Sequence, residues 1–101
     1  MKNIYFDNAA TTQLSEKVIS VMTDTMRVNF GNPSSTHSFG RNSKSILELS
    51  RKFIAEKLNA NSNEIIFTSG GTESNNMIIK SVVDSCSIKR IISTKIEHKA
   101  V

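Results

Sequence analysis

The chain has 101 residues, a formal charge of +4 and a pI near 9.5, with 38% hydrophobic and 22% charged residues. These fractions suit one small globular domain and by themselves name no function. Lys and Arg are scattered from Lys2 to Lys99 with no basic block, which speaks for a mildly basic solvated surface and against a nucleic-acid-binding one. The single cysteine, Cys86, excludes an intrachain disulfide and a cysteine cluster for zinc or iron–sulfur. No apolar run approaches bilayer length, so a soluble, cytoplasmic protein without membrane contact is expected.

Residues 1–14 read as a packed arm: a short apolar patch, Ile4 to Phe6, followed by the small and polar run Asp7 to Thr12. From Ser15, a good N-cap, Val18, Ile19, Met22 and Met26 recur at helical spacing and predict a first helix that Gly31 ends. Residues 31–45 hold the only proline and two of the four glycines among Ser, Thr and Asn, and predict a long loop. Loops of that length in a compact domain are usually functional or disordered. A second helix is marked by Ile46, Leu49, Phe53, Ile54 and Leu58, and it ends at the Asn-rich stretch 59–63.

Next, Glu64 to Thr68 is a β-branched and aromatic run bounded by Ser-Gly-Gly, which predicts a buried strand. A third helix is expected from Thr72 to about Val83, burying Ile78, Ile79, Val82 and Val83, with a second strand over Arg90 to Ser93. Strand, glycine turn, helix and strand make a βαβ unit, so the fold class is α/β with a mostly parallel sheet. Two parallel strands do not finish a sheet. Residues 15–101 therefore read as the incomplete beginning of a larger domain.

Ser69-Gly70-Gly71-Thr72 opens the third helix. First-turn amides and the helix dipole favour an anion there, and glycine lets a phosphate approach the backbone. The same tetrapeptide is equally a tight βα turn with Thr72 as N-cap. It is neither a Walker loop nor a dinucleotide fingerprint. His98, past the second strand, lies on the sheet edge that carries the glycine turn. It reads either as a surface histidine or as one whose flat ring and proton-transfer range serve the same ligand. His37 falls in the polar loop and reads as surface. Cys86 sits between Ser85 and Ser87 with no histidine beside it, and reads as a plain thiol.

Taken together, YFDNAATT, GNPSSTHSFGR, EIIFTSGGTESNN and IISTKIEHKAV closely resemble the N-terminal portion of the cysteine desulfurases, in the class V aminotransferase group. The resemblance covers essentially the whole chain. It implies the start of the aspartate-aminotransferase-like transferase fold, with pyridoxal 5'-phosphate as cofactor and L-cysteine as substrate. The implied products are L-alanine and a persulfide on an enzyme cysteine, whose sulfur passes to iron–sulfur scaffolds or other acceptors. Family members are homodimers. Position by position, Gly71 and Thr72 match the pair that holds the cofactor phosphate, and His98 matches the histidine stacked over the pyridine ring.

The 31–40 segment matches the loop near the active-site entrance and dimer contact. The family's Schiff-base lysine, its aspartate and glutamine beside the cofactor ring, its substrate-binding arginine and its sulfur-accepting cysteine have no match in these 101 residues. The chain is therefore expected to be an N-terminal fragment, inactive alone. Alternatives are a selenocysteine lyase or another enzyme of the group, or a non-catalytic binding remnant.

Overall fold

The computed structural model describes residues 3–101. Its contacts divide the chain into two compact units, Met1–Ser62 and Asn63–Val101, each described here by itself. In the first unit, α1 spans Glu16–Val28 and begins as expected at Ser15, whose hydroxyl accepts from the Val18 amide at 3.4 Å. It ends at Asn29, two residues before the glycine expected to stop it, with the Asn29 amide donating to the Thr25 carbonyl at 2.8 Å.

Helix α2 spans Ser38–Leu58 and closes on Asn59 in the left-handed conformation at φ 52°. Its start corrects the sequence reading, because residues 38–45 are helical and the loop is confined to 29–37. The physical reason lies in local hydrogen bonds that composition hides. His37 caps the helix, its Nδ1 accepting from the Gly40 amide at 3.3 Å. Asn32 Oδ1 accepts from the Ser34 amide at 2.9 Å, and the Ser35 amide donates to the Asn32 carbonyl at 2.9 Å. Arg41 Nη1 donates to the Thr36 carbonyl.

Glycine is needed at two positions here because the loop lies directly on the helix. A Cβ on Gly40 would stand 2.7 Å from the Asn32 carbonyl oxygen, and one on Gly31 would stand 2.9 Å from the Gly40 nitrogen. Phe30 and Phe39 close the junction with ring centroids 5.2 Å apart, a favourable tilted aromatic pair. Ser43 Oγ donates to the Asn29 carbonyl at 3.3 Å and ties α2 to the end of α1.

The buried stripe of α2 is not its apolar stripe. Gly40, Ser43 and Ala55 are buried, whereas Leu49, Phe53 and Leu58 are 60–65% exposed. Helix α1 likewise buries none of its residues. Ala55 is the sole buried hydrophobic residue among those described, and the accessible surface is 9429 Å². Two separate compact bodies with the masses of these units would expose about 6,800 Å² in total. Each unit thus leaves most of its apolar side chains uncovered.

The second unit holds a 3₁₀ turn at Ser62–Glu64, which begins one residue earlier at the unit boundary, and α3 over Gly71–Ser85. No strand occurs among the described residues. The expected βαβ unit is therefore not formed: residues 65–68 and 90–93 are irregular, with Ile66 64% and Ile92 88% exposed. A strand exists only through ladder hydrogen bonds to a neighbouring strand, and these two segments do not supply them to each other. The burial expected along α3 is also absent, since Ile78 and Val82 are exposed and Ile79 and Val83 half-buried. Cys86 caps the C-terminus of α3 and is exposed.

The close approach at Gly40 generates a test. Gly40→Ala should lower stability by about 1–3 kcal/mol, the usual cost of overpacking, read as a fall in the urea unfolding midpoint. Gly70→Ala is the control: an added Cβ there meets nothing within 4 Å, and its φ of 163° is extended backbone. Equal losses for the two substitutions would show that the loop is not seated on α2.

Candidate cofactor-phosphate site

The site is built on the glycine turn that opens α3. Gly70 is the helix N-cap, and its carbonyl accepts from the Ser74 amide at 3.1 Å and from one of the two hydroxyls beside it, Ser74 Oγ at 3.2 Å or Thr68 Oγ1 at 3.3 Å, the other donating between the hydroxyls. Thr68 Oγ1 and Ser74 Oγ are 2.7 Å apart. Ser69 is held from the other side of the turn by Glu73, whose Oε2 accepts from the Ser69 amide at 2.6 Å and from Ser69 Oγ at 2.7 Å. The Ser69 amide hydrogen bond, then the hydroxyl one, favour the ionised carboxylate and draw the Glu73 pKa below its ordinary value, against a small opposing effect of desolvation.

Thr72 is not the N-cap that sequence reasoning allowed. It is the second residue of α3, exposed, with its carbonyl accepting from Asn76 Nδ2 at 2.9 Å. Its hydroxyl makes no hydrogen bond among the described residues. Gly71 is the first helical residue and is exposed, and a Cβ added at Gly70 or Gly71 would meet nothing within 4 Å. The unit itself therefore does not require glycine at either position. The space in front of these backbone groups stays open to something from outside.

The first-turn amides of a helix lack intrahelical acceptors and carry the positive end of its dipole. With an unengaged threonine hydroxyl beside them, they form a donor set suited to an anion such as a phosphate. No group of three or more His, Cys, Asp or Glu side chains able to hold a metal ion occurs among the described residues.

His98 lies in the irregular segment after α3 and is exposed. Its Nδ1 accepts from the Ala100 amide at 3.1 Å, and its carbonyl accepts from the Val101 amide at 2.9 Å. Nδ1 acting as acceptor assigns the proton of the neutral ring to Nε2. Asn75 Nδ2 donates to the Ala100 carbonyl at 3.3 Å, which fastens the His98 turn to α3. Asn75 lies three residues after Thr72 and four after Gly71, on the same helix face. The structure thus draws the His98 segment toward the face of α3 that begins at the glycine turn, by a side-chain tether rather than by the expected strand end.

Sequence reasoning missed Glu73 and Asn75. A signal existed for Glu73, since a glutamate three residues after an N-cap is the acidic half of a capping box. None existed for Asn75, whose partner lies 25 residues away. In the other unit, an open groove of about 380 Å³ between Asn29, Pro33, Ser43 and Ile46 is lined by no titratable side chain. No helix among the described residues is long and apolar enough to cross a membrane.

The family model for aminotransferase class-V matches residues 4–101. The chain is 50% identical over 102 aligned positions to a cysteine desulfurase IscS of Dictyoglomus turgidum, with 99% of this chain and 26% of that protein covered. It is 47% identical to a cysteine desulfurase IscS of Methanosarcina thermophila, with 99% and 25% covered. With a mitosomal cysteine desulfurase of Trachipleistophora hominis the identity is 45%, with 97% and 23% covered. The chain spans about a quarter of the length of these curated relatives. A family match from residue 4 to the last residue, with relatives at this identity along nearly the whole chain, places it plainly: the chain belongs to the class-V aminotransferase family.

Proposed function

We propose that these residues form the cofactor-phosphate-binding beginning of a cysteine desulfurase, in which residues 15–101 start the large domain of an aspartate-aminotransferase-like fold and residues 1–14 form its arm. The observation that carries the reading is the Gly70-Gly71-Thr72 turn at the head of α3, with open space before its glycines and an unengaged threonine hydroxyl. It occurs in a chain 45–50% identical to proteins named cysteine desulfurase. The cofactor is pyridoxal 5'-phosphate, which supplies an electron sink for bond breaking at the substrate amino acid.

In this reading the Gly71 and Thr72 amides and the Thr72 hydroxyl bind the cofactor phosphate. His98 offers its ring face for stacking and its Nε2 for proton movement. The substrate is L-cysteine and the amino-acid product L-alanine; the sulfur is taken by an enzyme cysteine outside these 101 residues as a persulfide, and passes from there to an iron–sulfur scaffold or another acceptor. The working enzyme is a cytoplasmic homodimer.

Two substitutions test the residue assignments in a polypeptide of full family length carrying this segment. Thr72→Ala should weaken cofactor binding by about 1.5 kcal/mol, roughly tenfold, through loss of a hydrogen bond to a charged acceptor. Unchanged affinity would remove Thr72 from the phosphate site. His98→Ala should slow turnover and shift the visible spectrum of the bound cofactor, and a parental rate and spectrum would mark the histidine as structural.

These 101 residues by themselves should not catalyse. A reactive lysine must be partly deprotonated by its surroundings, whereas Lys80, Lys89, Lys95 and Lys99 are all exposed. With pyridoxal phosphate and L-cysteine, the chain should release no alanine above a protein-free control. Borohydride reduction should label no single lysine stoichiometrically. One fully labelled lysine together with catalytic alanine release would show a self-sufficient active site within the 101 residues.

A further inference from the structure

Four side chains straddle the glycine turn. Thr68 and Ser69 precede it, Glu73 and Ser74 follow it, and they bond across it in two pairs, Ser69 to Glu73 and Thr68 to Ser74. Between them lie Gly70 and Gly71, the residue type that loses most conformational freedom on ordering. A turn already held in its binding geometry does not have to be ordered when the ligand arrives, and the ligand binds more tightly by that difference.

Resting on the proposed phosphate site, we infer that Glu73 is a positioning residue for it: the Glu73 carboxylate clamps Ser69 and so holds the Gly70-Gly71-Thr72 amides ready for the cofactor phosphate. The clamp has a second consequence. It consumes both donors of Ser69, so the phosphate is left with Gly71 and Thr72. The hydrogen bonds from Ser69 also hold Glu73 ionised further into the acid range than a free glutamate.

The carboxylate is itself negative and opposes a phosphate. Glu73 is exposed, so solvent and salt screen that repulsion, while the hydrogen bonds at 2.6 and 2.7 Å act at contact. Positioning therefore outweighs repulsion. Glu73 touches no reacting atom in this account and acts only through Ser69.

The test uses a polypeptide of full family length carrying the segment, and three readouts. Glu73→Ala should raise the dissociation constant for pyridoxal phosphate roughly three- to tenfold, the scale of a lost helix-capping contact. Glu73→Gln, which keeps an acceptor oxygen, should fall between wild type and Glu73→Ala. In the cofactor-free protein, hydrogen exchange at the Ser69 amide should quicken in Glu73→Ala while the unfolding midpoint stays close to wild type. Unchanged or tighter cofactor binding in either variant overturns the inference, as does unaltered Ser69 exchange. Thr72→Ala separates this failure from failure of the underlying site. If Thr72→Ala weakens binding and Glu73→Ala does not, only the clamp is wrong; if neither matters, the phosphate site itself is misplaced.

Discussion

Glu73 reaches back to Ser69, His37 accepts from Gly40, and Ser15 accepts from Val18. These contacts at the helix starts hold a structure in which Ala55 is the sole buried hydrophobic residue described. An isolated helix of α1 or α3 length is marginal in water, and proteins normally stabilise such helices by packing an apolar face. Here those faces are largely uncovered, so the ends of the helices, and the loop seated on Gly40, depend on hydrogen bonds made within a few residues.

That dependence has a functional side. The glycine turn needs no apolar packing to keep its shape, because Thr68, Ser69, Glu73 and Ser74 fix it locally. The turn has this shape although the apolar side chains around it are largely exposed. The His98 segment is less self-contained. It reaches the same face of α3 through the hydrogen bond from Asn75 to the Ala100 carbonyl.

What could be read in the sequence follows the range of the interactions involved. The start of α1 was legible because Ser15 is a good cap before a helical apolar pattern, and the body of α2 because Ile46 to Leu58 repeat with helical period. The first two turns of α2 were not, because Ser-Phe-Gly-Arg-Asn-Ser has the composition of a loop and its cap, His37, is an uncommon one. The apolar stripe of α2 gave the right element but not its buried face, which runs through Gly40, Ser43 and Ala55. Residues 64–68 carry strand chemistry, yet a strand is a long-range object, and its ladder partners are not decided by its own residues.

At the site, the four ordered sequence blocks pointed to the class-V aminotransferase family, and Gly71, Thr72 and His98 were named from them. The local reason that the turn holds its shape became visible only with the Glu73 and Thr68 contacts in place. The central claim, that the head of α3 holds a cofactor phosphate, is tested most directly by an experimental structure of the cofactor-loaded protein of full family length. The account predicts phosphate oxygens within hydrogen-bond distance of the Gly71 and Thr72 amides and the Thr72 hydroxyl, with Ser69 still bonded to Glu73. A phosphate bound elsewhere, with this turn facing only solvent or protein, would contradict it.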